Sequence, residues 1–363
     1  MTRHRVLLTA DAVGGVWTFA LELARGLADR GVETMLAVLG PAPDAAQRRA
    51  AFAVPGLRLA LTGLPLEWQD RAGPFDAGAR RRLLALERAF RPDIVHASGF
   101  REAAAGFAAP VLLTAHSCVK TWWRACRGGD PPPEWDSYAA GVRQGLAAAD
   151  ALAAPTAAYL SAFAAAWDLL PPARVVPNGL DLPPPPPGPR RPVVLAAGRL
   201  WDEAKGIASL AAVALRLPWP VEVAGEAAAG QADEGLHHLG RLAPADLHAR
   251  MAEAAIFAAP ARYEPFGLGI LEAATQGCAL VLGEVPSLVE LWKGAARFVP
   301  PGEPEALLAA LQELIADTSA RERLADAARE RAALYTRARM TEGYLGLYGD
   351  LLAARRVARR RAA

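Results

Sequence analysis

The sequence predicts an α/β protein of two doubly wound domains facing one central cleft. Three observations carry this. Short apolar runs alternate with helical patterns along most of the 363-residue chain. Strands that are apolar throughout, with helices between them, mark parallel sheets covered on both faces. A run of five prolines, Pro183 to Pro187, followed by Gly188-Pro189, interrupts the alternation. Such a run is a stiff extended linker and cannot lie inside a sheet. The length also suffices for two domains of ordinary size, each with its own core.

In the first domain, expected over 1–180, Val6-Leu7-Leu8-Thr9 reads as a buried strand. Gly14-Gly15 follows, then a helix with Val16, Phe19, Ala20, Leu23, Ala24 and Leu27 on one face. Further strands are read at 34–39, 94–97, 111–114 and 151–154, with helical patterns over 77–90 and 138–149. The linker is placed at 181–191. The second domain, 192–336, opens on a strand at 193–196. It continues through strands at 221–224, 256–259, 280–282 and 297–299. Helical patterns over 303–316 and 319–334 follow. A last one, about 337–354, carries Tyr344 and Tyr348 and ends in an arginine-rich tail.

Composition excludes several classes. Forty basic residues against 38 acidic ones leave a net charge of +2, which gives no reason to invoke nucleic acid. The three cysteines, Cys118, Cys126 and Cys278, have no metal-ligand spacing and read as free thiols of a reducing cytosol. Cys118 and Cys126 could in principle pair. The first apolar run breaks at Asp11 and Gly14-Gly15, too early for a signal segment. No uncharged apolar stretch reaches the ~18 residues of a membrane span. A cytoplasmic location is therefore expected.

The most informative segment is Glu264-Pro-Phe-Gly-Leu-Gly-Ile-Leu-Glu272. Two carboxylates flank a glycine-bearing turn that runs into an apolar helix. A helix start offers unpaired N–H groups and partial positive charge, which suit a phosphate; carboxylates beside it can hold hydroxyls. Phosphate and hydroxyls together read as a sugar nucleotide. Gly198-Arg199-Leu200-Trp201-Asp202-Glu203-Ala204-Lys205-Gly206 follows the first strand of the second domain. Arg199 and Lys205 read either as solvated charges or as a fork and a point charge converging on a diphosphate. Gly14-Gly15 reads either as a plain turn or as a close backbone approach to an anion. It is not the dinucleotide fingerprint, because the third glycine and the ribose-binding acid are missing. His116 follows an apolar strand. It is either structural or a hydrogen-bonding group for a sugar hydroxyl. His96 reads as structural.

On these residues the chain resembles glycosyltransferase family 4, retaining enzymes of the GT-B fold with two Rossmann-like domains. The resemblance rests on Gly198-Arg199 with Lys205-Gly206 and on Glu264 and Glu272 with seven residues between. Val175 to Asp181, Pro92 to His96, and Ala149-Asp150-Ala151 with Pro155-Thr156 also look familiar. It implies that Arg199 and Lys205 bind the donor diphosphate, Glu264 sits at the sugar ring, and Glu272 holds the ribose hydroxyls. Backbone N–H groups of Phe266, Gly267 and Leu268 would touch sugar or phosphate. Gly15 would approach the diphosphate, and His116 would bond the transferred sugar. The C-terminal helix, 337–363, would return to the first domain. The partners implied are a nucleotide sugar and a glycosyl acceptor, with no metal and no cofactor.

Residues 117–136 hold Lys120, Trp122, Trp123, Arg124 and Trp135 around Pro131-Pro132-Pro133, and are expected as a loop overhanging the cleft. The tryptophans would either stack on the acceptor, with Lys120 or Arg124 meeting an acidic group on it, or pack the loop down. Arg80-Arg81-Arg82 and the tail arginines Arg355, Arg356, Arg359, Arg360 and Arg361 read as solvated helix faces or as a peripheral contact with an anionic membrane at its inner face. Two other functions are weighed. One is an inactive sugar-nucleotide-binding protein. The other is a pyridoxal-phosphate sugar phosphorylase, disfavoured because only three lysines are present.

Overall fold

The structure is a computed structural model that describes residues 4–69, 76–186, 188–227 and 234–362. Pro187 of the expected linker lies outside the described residues. The chain divides into two compact units. The first comprises Met1–Arg124, Gly129–Gly179 and Arg337–Ala363; the second comprises Ala125–Gly128 and Leu180–Thr336.

The first unit holds a seven-stranded parallel sheet. Its strands are β1 (Arg5–Asp11), β2 (Glu33–Leu39), β3 (Arg58–Leu61), β4 (Ile94–Ala97), β5 (Val111–Thr114), β6 (Ala151–Ala154) and β7 (Ala173–Val175), in the order β3-β2-β1-β4-β5-β6-β7. The second unit holds a six-stranded parallel sheet of β8 (Arg191–Ala197), β9 (Val221–Ala224), β10 (Leu236–Gly240), β11 (Ala254–Ala259), β12 (Ala279–Gly283) and β13 (Arg297–Val299). Its order is β10-β9-β8-β11-β12-β13. Both sheets are wound outward from their first strand, so each has a crossover beside it: β1/β4 in one, β8/β11 in the other. Ligands of open parallel sheets bind outside the carboxyl ends of the strands at such crossovers.

Side chains alternate across the second sheet, and two cores result. Val194, Ala196, Ile256, Ala258 and Val281 pack on one face with the helices Ile207–Ala214 and Pro304–Ala316. Leu195, Phe257, Leu280 and Leu282 pack on the other with Leu268–Thr275, Pro286–Trp292 and Thr318–Ala332. Burial on both faces is why these strands read as unbroken apolar runs.

The helix Arg337–Ala362 is part of the first unit, and it runs unbroken through the arginine-rich tail. Buried Tyr344 and Tyr348 anchor it. Tyr348 Oη lies 2.8 Å from His96 Nδ1, and Thr114 Oγ1 lies 2.7 Å from His96 Nε2 and 3.3 Å from Tyr344 Oη. His96 is thus a structural residue with both ring nitrogens engaged. Arg337 Nε donates to Glu22 over 2.7 Å. A Cβ on Gly26 would stand 1.9 Å from Thr341 Oγ1, so a side chain there would push this helix away.

The segment 117–136 departs from the expected loop. It is not an extended loop: Val119–Arg127 is an α-helix, and only Pro133–Trp135 forms a short 3-10 turn. Val119, Trp122, Trp123 and Cys126 fall at i, i+3, i+4 and i+7, one helical face that the neighbouring prolines obscured. All three cysteines are free. Among the described residues no helix is long and apolar enough to cross a membrane.

Candidate active site

The loops after β8 and β11 meet at the crossover of the second sheet. Gly206 has φ 68°, and a Cβ there would lie 2.1 Å from the carbonyl oxygen of Pro260. Glycine therefore lets the two loops touch, and Arg262 N donates to Ala204 O over 2.8 Å to close the contact. The β8 loop is tied on its other side as well: Gly198 N donates to Ala224 O and Leu200 N to Glu226 O, both over 3.0 Å.

This framework fixes four charged side chains. Lys205 Nζ donates to Glu264 Oε2 over 2.6 Å, with both side chains mostly buried. Arg199 Nη2 donates to Asp202 Oδ2 over 2.8 Å, and the guanidinium lies 5.6 Å from the Trp201 ring centre. Asp202 is only 6 % exposed, and its other oxygen accepts from Ala204 N over 3.1 Å. Each cation is thus held in place by a carboxylate. Ser287 Oγ donates to the backbone carbonyl of Glu264, which anchors that residue from the helix Pro286–Trp292.

Gly267 opens the helix Leu268–Thr275 with φ 86°. A Cβ there would press within 2.7 Å of Ile270 and 3.2 Å of the Glu264 side chain, so this turn admits glycine alone. The first N–H groups of the helix have no partner within the helix itself. The Phe266 ring is buried against Tyr335, ring centres 5.7 Å apart, which leaves only its backbone to meet a ligand. Glu272, one turn into the helix, lies 3.8 Å from His248 Nε2. Sequence reasoning missed His248: it sits on the preceding helix, Pro244–Glu253, and no spacing links it to Glu272. Asp202 and Ser287 were also missed, although Asp202 stood inside the segment already singled out.

In the first unit, Gly14 has φ 140° and precedes the helix Gly15–Asp29, with both glycines exposed after β1. His116 follows β5. Its Nε2 is shut off from solvent and, among the described residues, has no hydrogen-bond partner; its ring packs edge-on against Phe19 at 4.4 Å, and burial pushes its pKa down to about 3. The imidazole is therefore neutral at ordinary pH. Trp122, Trp123 and Trp135 lean on one another, with ring centres 5.8 and 6.3 Å apart. Lys120 and Arg124 both reach Asp130, at 3.4 and 2.5 Å. Among the described residues no three His, Cys, Asp or Glu side chains form a metal-ligand set.

Two family models match. Residues 13–183 match the model described as Glycosyltransferase Family 4, and residues 188–331 match Glycosyl transferases group 1. Together the two models mark the chain as a GT-B glycosyltransferase of the family 4 type. It is accordingly a sugar-transferring enzyme of the hexosyltransferase type, on the GT-B fold. A D-inositol 3-phosphate glycosyltransferase of Salinispora arenicola is 28 % identical to this glycosyltransferase over 95 % of its chain and 89 % of the relative. Among solved structures, sucrose-phosphate synthase of Thermosynechococcus elongatus superposes with a TM-score of 0.77 at 19 % identity, covering 97 % of this chain and 100 % of that one. Anabaena HepE, solved with UDP and glucose, gives 0.75 at 18 % identity, covering 96 % and 100 %. At such identities the structural likenesses establish the fold alone.

Proposed function

We propose that this glycosyltransferase moves a sugar from a nucleoside-diphosphate sugar to a hydroxyl acceptor, with retention at the anomeric carbon and without a metal ion. The observation that carries the reading is the Lys205–Glu264 pair beside Arg199–Asp202 at the β8/β11 crossover. Arg199 and Lys205 neutralise the diphosphate and the charge that grows on it as the glycosidic bond breaks. The helix start at Gly267 and Leu268, with the N–H of Phe266, adds donors to the same anion. Glu264 faces the sugar hydroxyls and Glu272 the ribose. The likeness to a protein solved with UDP and glucose supports a nucleotide-sugar donor.

In the transfer, the bond from the anomeric carbon to the phosphate oxygen breaks and a bond to the acceptor oxygen forms on the same face. The acceptor proton passes to the departing phosphate oxygen. The base belongs near the loops after β9 and β10, where Gly225 N donates to Gly240 O over 2.9 Å. From the first unit, Gly15 approaches the diphosphate and neutral His116 bonds a hydroxyl of the sugar. Trp122 and Trp123, with Lys120 and Arg124, belong to acceptor recognition. The free thiols fit a reducing cytosol.

A thermal-shift panel of nucleoside diphosphates and their sugars tests the donor. A true donor well above its Kd raises the melting temperature. No response to UDP, GDP or ADP forms would contradict the reading.

A further inference from the structure

In the first unit, Gly15 and His116 follow strands at the carboxyl edge of the sheet. The opposite edge carries another feature. Pro92 leads into β4, and Ala108 and Ala109 precede β5, so these residues lie at the amino ends of their strands. A pocket of about 240 Å³ opens there, lined by Arg88, Arg91 and Arg355 together with Glu87 and the Ala108-Ala109 backbone.

Three arginines line one concavity, and among the described residues none of them has a carboxylate partner. Other arginines of the chain do find one: Arg337 pairs with Glu22, Arg191 with Glu222, and Arg216 with Glu305. The single acid of the lining does not answer them. Glu87 Oε1 accepts from Ala108 N over 2.7 Å and from Ala109 N over 2.8 Å, and its side chain serves that turn. The dipole of the helix Ala77–Phe90 accounts in part for Arg88 and Arg91 at its carboxyl end. It does not account for Arg355, which arrives from the helix Arg337–Ala362.

Arg91 supplies a second observation. It has φ 52° and is the only non-glycine residue with positive φ among the described residues. The position after a helix is one that glycine commonly fills and suits best. The chain keeps an arginine at the pocket lining in spite of backbone strain, and strain of this kind gathers where a ligand is clamped.

We propose that this pocket binds a phosphate-bearing anion, a phosphomonoester or phosphodiester, at a site separate from the donor machinery. Arginine forks match phosphate oxygens two at a time. The pocket also has room for part of the group that carries the phosphate. Two sources share this chemistry: a soluble phosphate compound and the headgroup of an anionic lipid. Beside the pocket the same helix exposes Arg356, Arg359, Arg360 and the half-exposed Val357, an arrangement that also suits a lipid surface.

The full chain decides this with two probes. One is inorganic phosphate, followed by calorimetry; the other is phosphatidylglycerol vesicles against phosphatidylcholine vesicles, followed by flotation. Each is repeated on the double variant Arg91→Gly, Arg355→Gln. Glycine relieves the backbone at 91, so the variant should melt no lower than the parent. The wild type is expected to bind at least one anionic probe saturably, and the variant roughly tenfold more weakly. Nucleoside-diphosphate binding should be equal in both. Binding of phosphate alone assigns a soluble anion, and binding of phosphatidylglycerol vesicles alone assigns a lipid headgroup. No saturable binding of either probe, or undiminished binding by the variant, overturns the proposal.

Discussion

The two sheets present different chemistry at the carboxyl ends of their strands. At β8/β11 each cation has its carboxylate before any ligand arrives, Lys205 with Glu264 and Arg199 with Asp202, and Glu272 lies beside His248. In the first unit, among the described residues, the buried His116 Nε2 after β5 and Ser98 Oγ after β4 stand without partners, as does Glu102 Oε2 on the helix Phe100–Ala103; in the second unit Arg199 Nε alone of the paired charges keeps such an atom. The contrast teaches where each half spends free energy. Paired charges hold one geometry ready for a charged group, which is how preorganised electrostatics lower a barrier. Unmatched buried atoms carry a desolvation cost until something bonds to them.

The second unit should give the larger effects. Lys205→Ala should lower turnover most, by about 10²–10³-fold, because in the proposed reading it removes a charge set against the leaving group. Steady-state kinetics with the identified donor check it, and turnover within a few-fold of wild type would remove Lys205 from the machinery. Asp202→Asn should cost less, roughly tenfold in kcat/KM, since the amide still accepts from Ala204 N but no longer balances Arg199. Asp202→Ala should be worse than the asparagine variant. Equal values in both would mean that Asp202 only supports the loop.

The first unit gives two smaller effects, both on stability. Burial holds the pKa values of His96 and His116 at about 3, the charge of His116 adding to the shift of His96, against an ordinary value of 6.5. Between these limits the unfolded chain binds more protons than the folded one. Stability should therefore be complete above about pH 6.5 and fall progressively as the pH drops toward 3. Melting temperatures across this window should show a shallower acid slope in His116→Gln than in the wild type. Tyr348→Phe leaves His96 Nδ1 without its partner and should cost about 1–3 kcal/mol in denaturant unfolding, with donor binding unchanged.

The legible parts of the fold were those buried on both faces. Strands such as Val193–Ala196 and Ile256–Ala259 read correctly because helices cover both sides of them. The strands that went unread, Arg58–Leu61, Ala173–Val175 and Leu236–Gly240, all lie at sheet edges. There one side meets solvent, and arginines or histidines break the apolar run. The helix Val119–Arg127 was obscured because Pro131-Pro132-Pro133 beside it marked the whole segment as a loop. At the site, Arg199, Lys205, Glu264 and Glu272 stood out by type and position on loops or a helix start after strands. Asp202, Ser287 and His248 act by holding those residues, and only three-dimensional contact reveals that.

The proposed donor site divides its labour within one segment, Glu272 toward the ribose and Glu264 toward the sugar. Calorimetric titration of the nucleoside diphosphate identified in the panel, into wild type, Glu272→Ala and Glu264→Ala, tests it most directly. Glu272→Ala should bind roughly tenfold or more weakly, having lost a charge-assisted hydrogen bond. Glu264→Ala should bind the sugar-free nucleotide nearly as the wild type does, while its turnover collapses. Equal loss of nucleotide binding in the two variants would contradict the division and, with it, the assignment of this segment as the donor site.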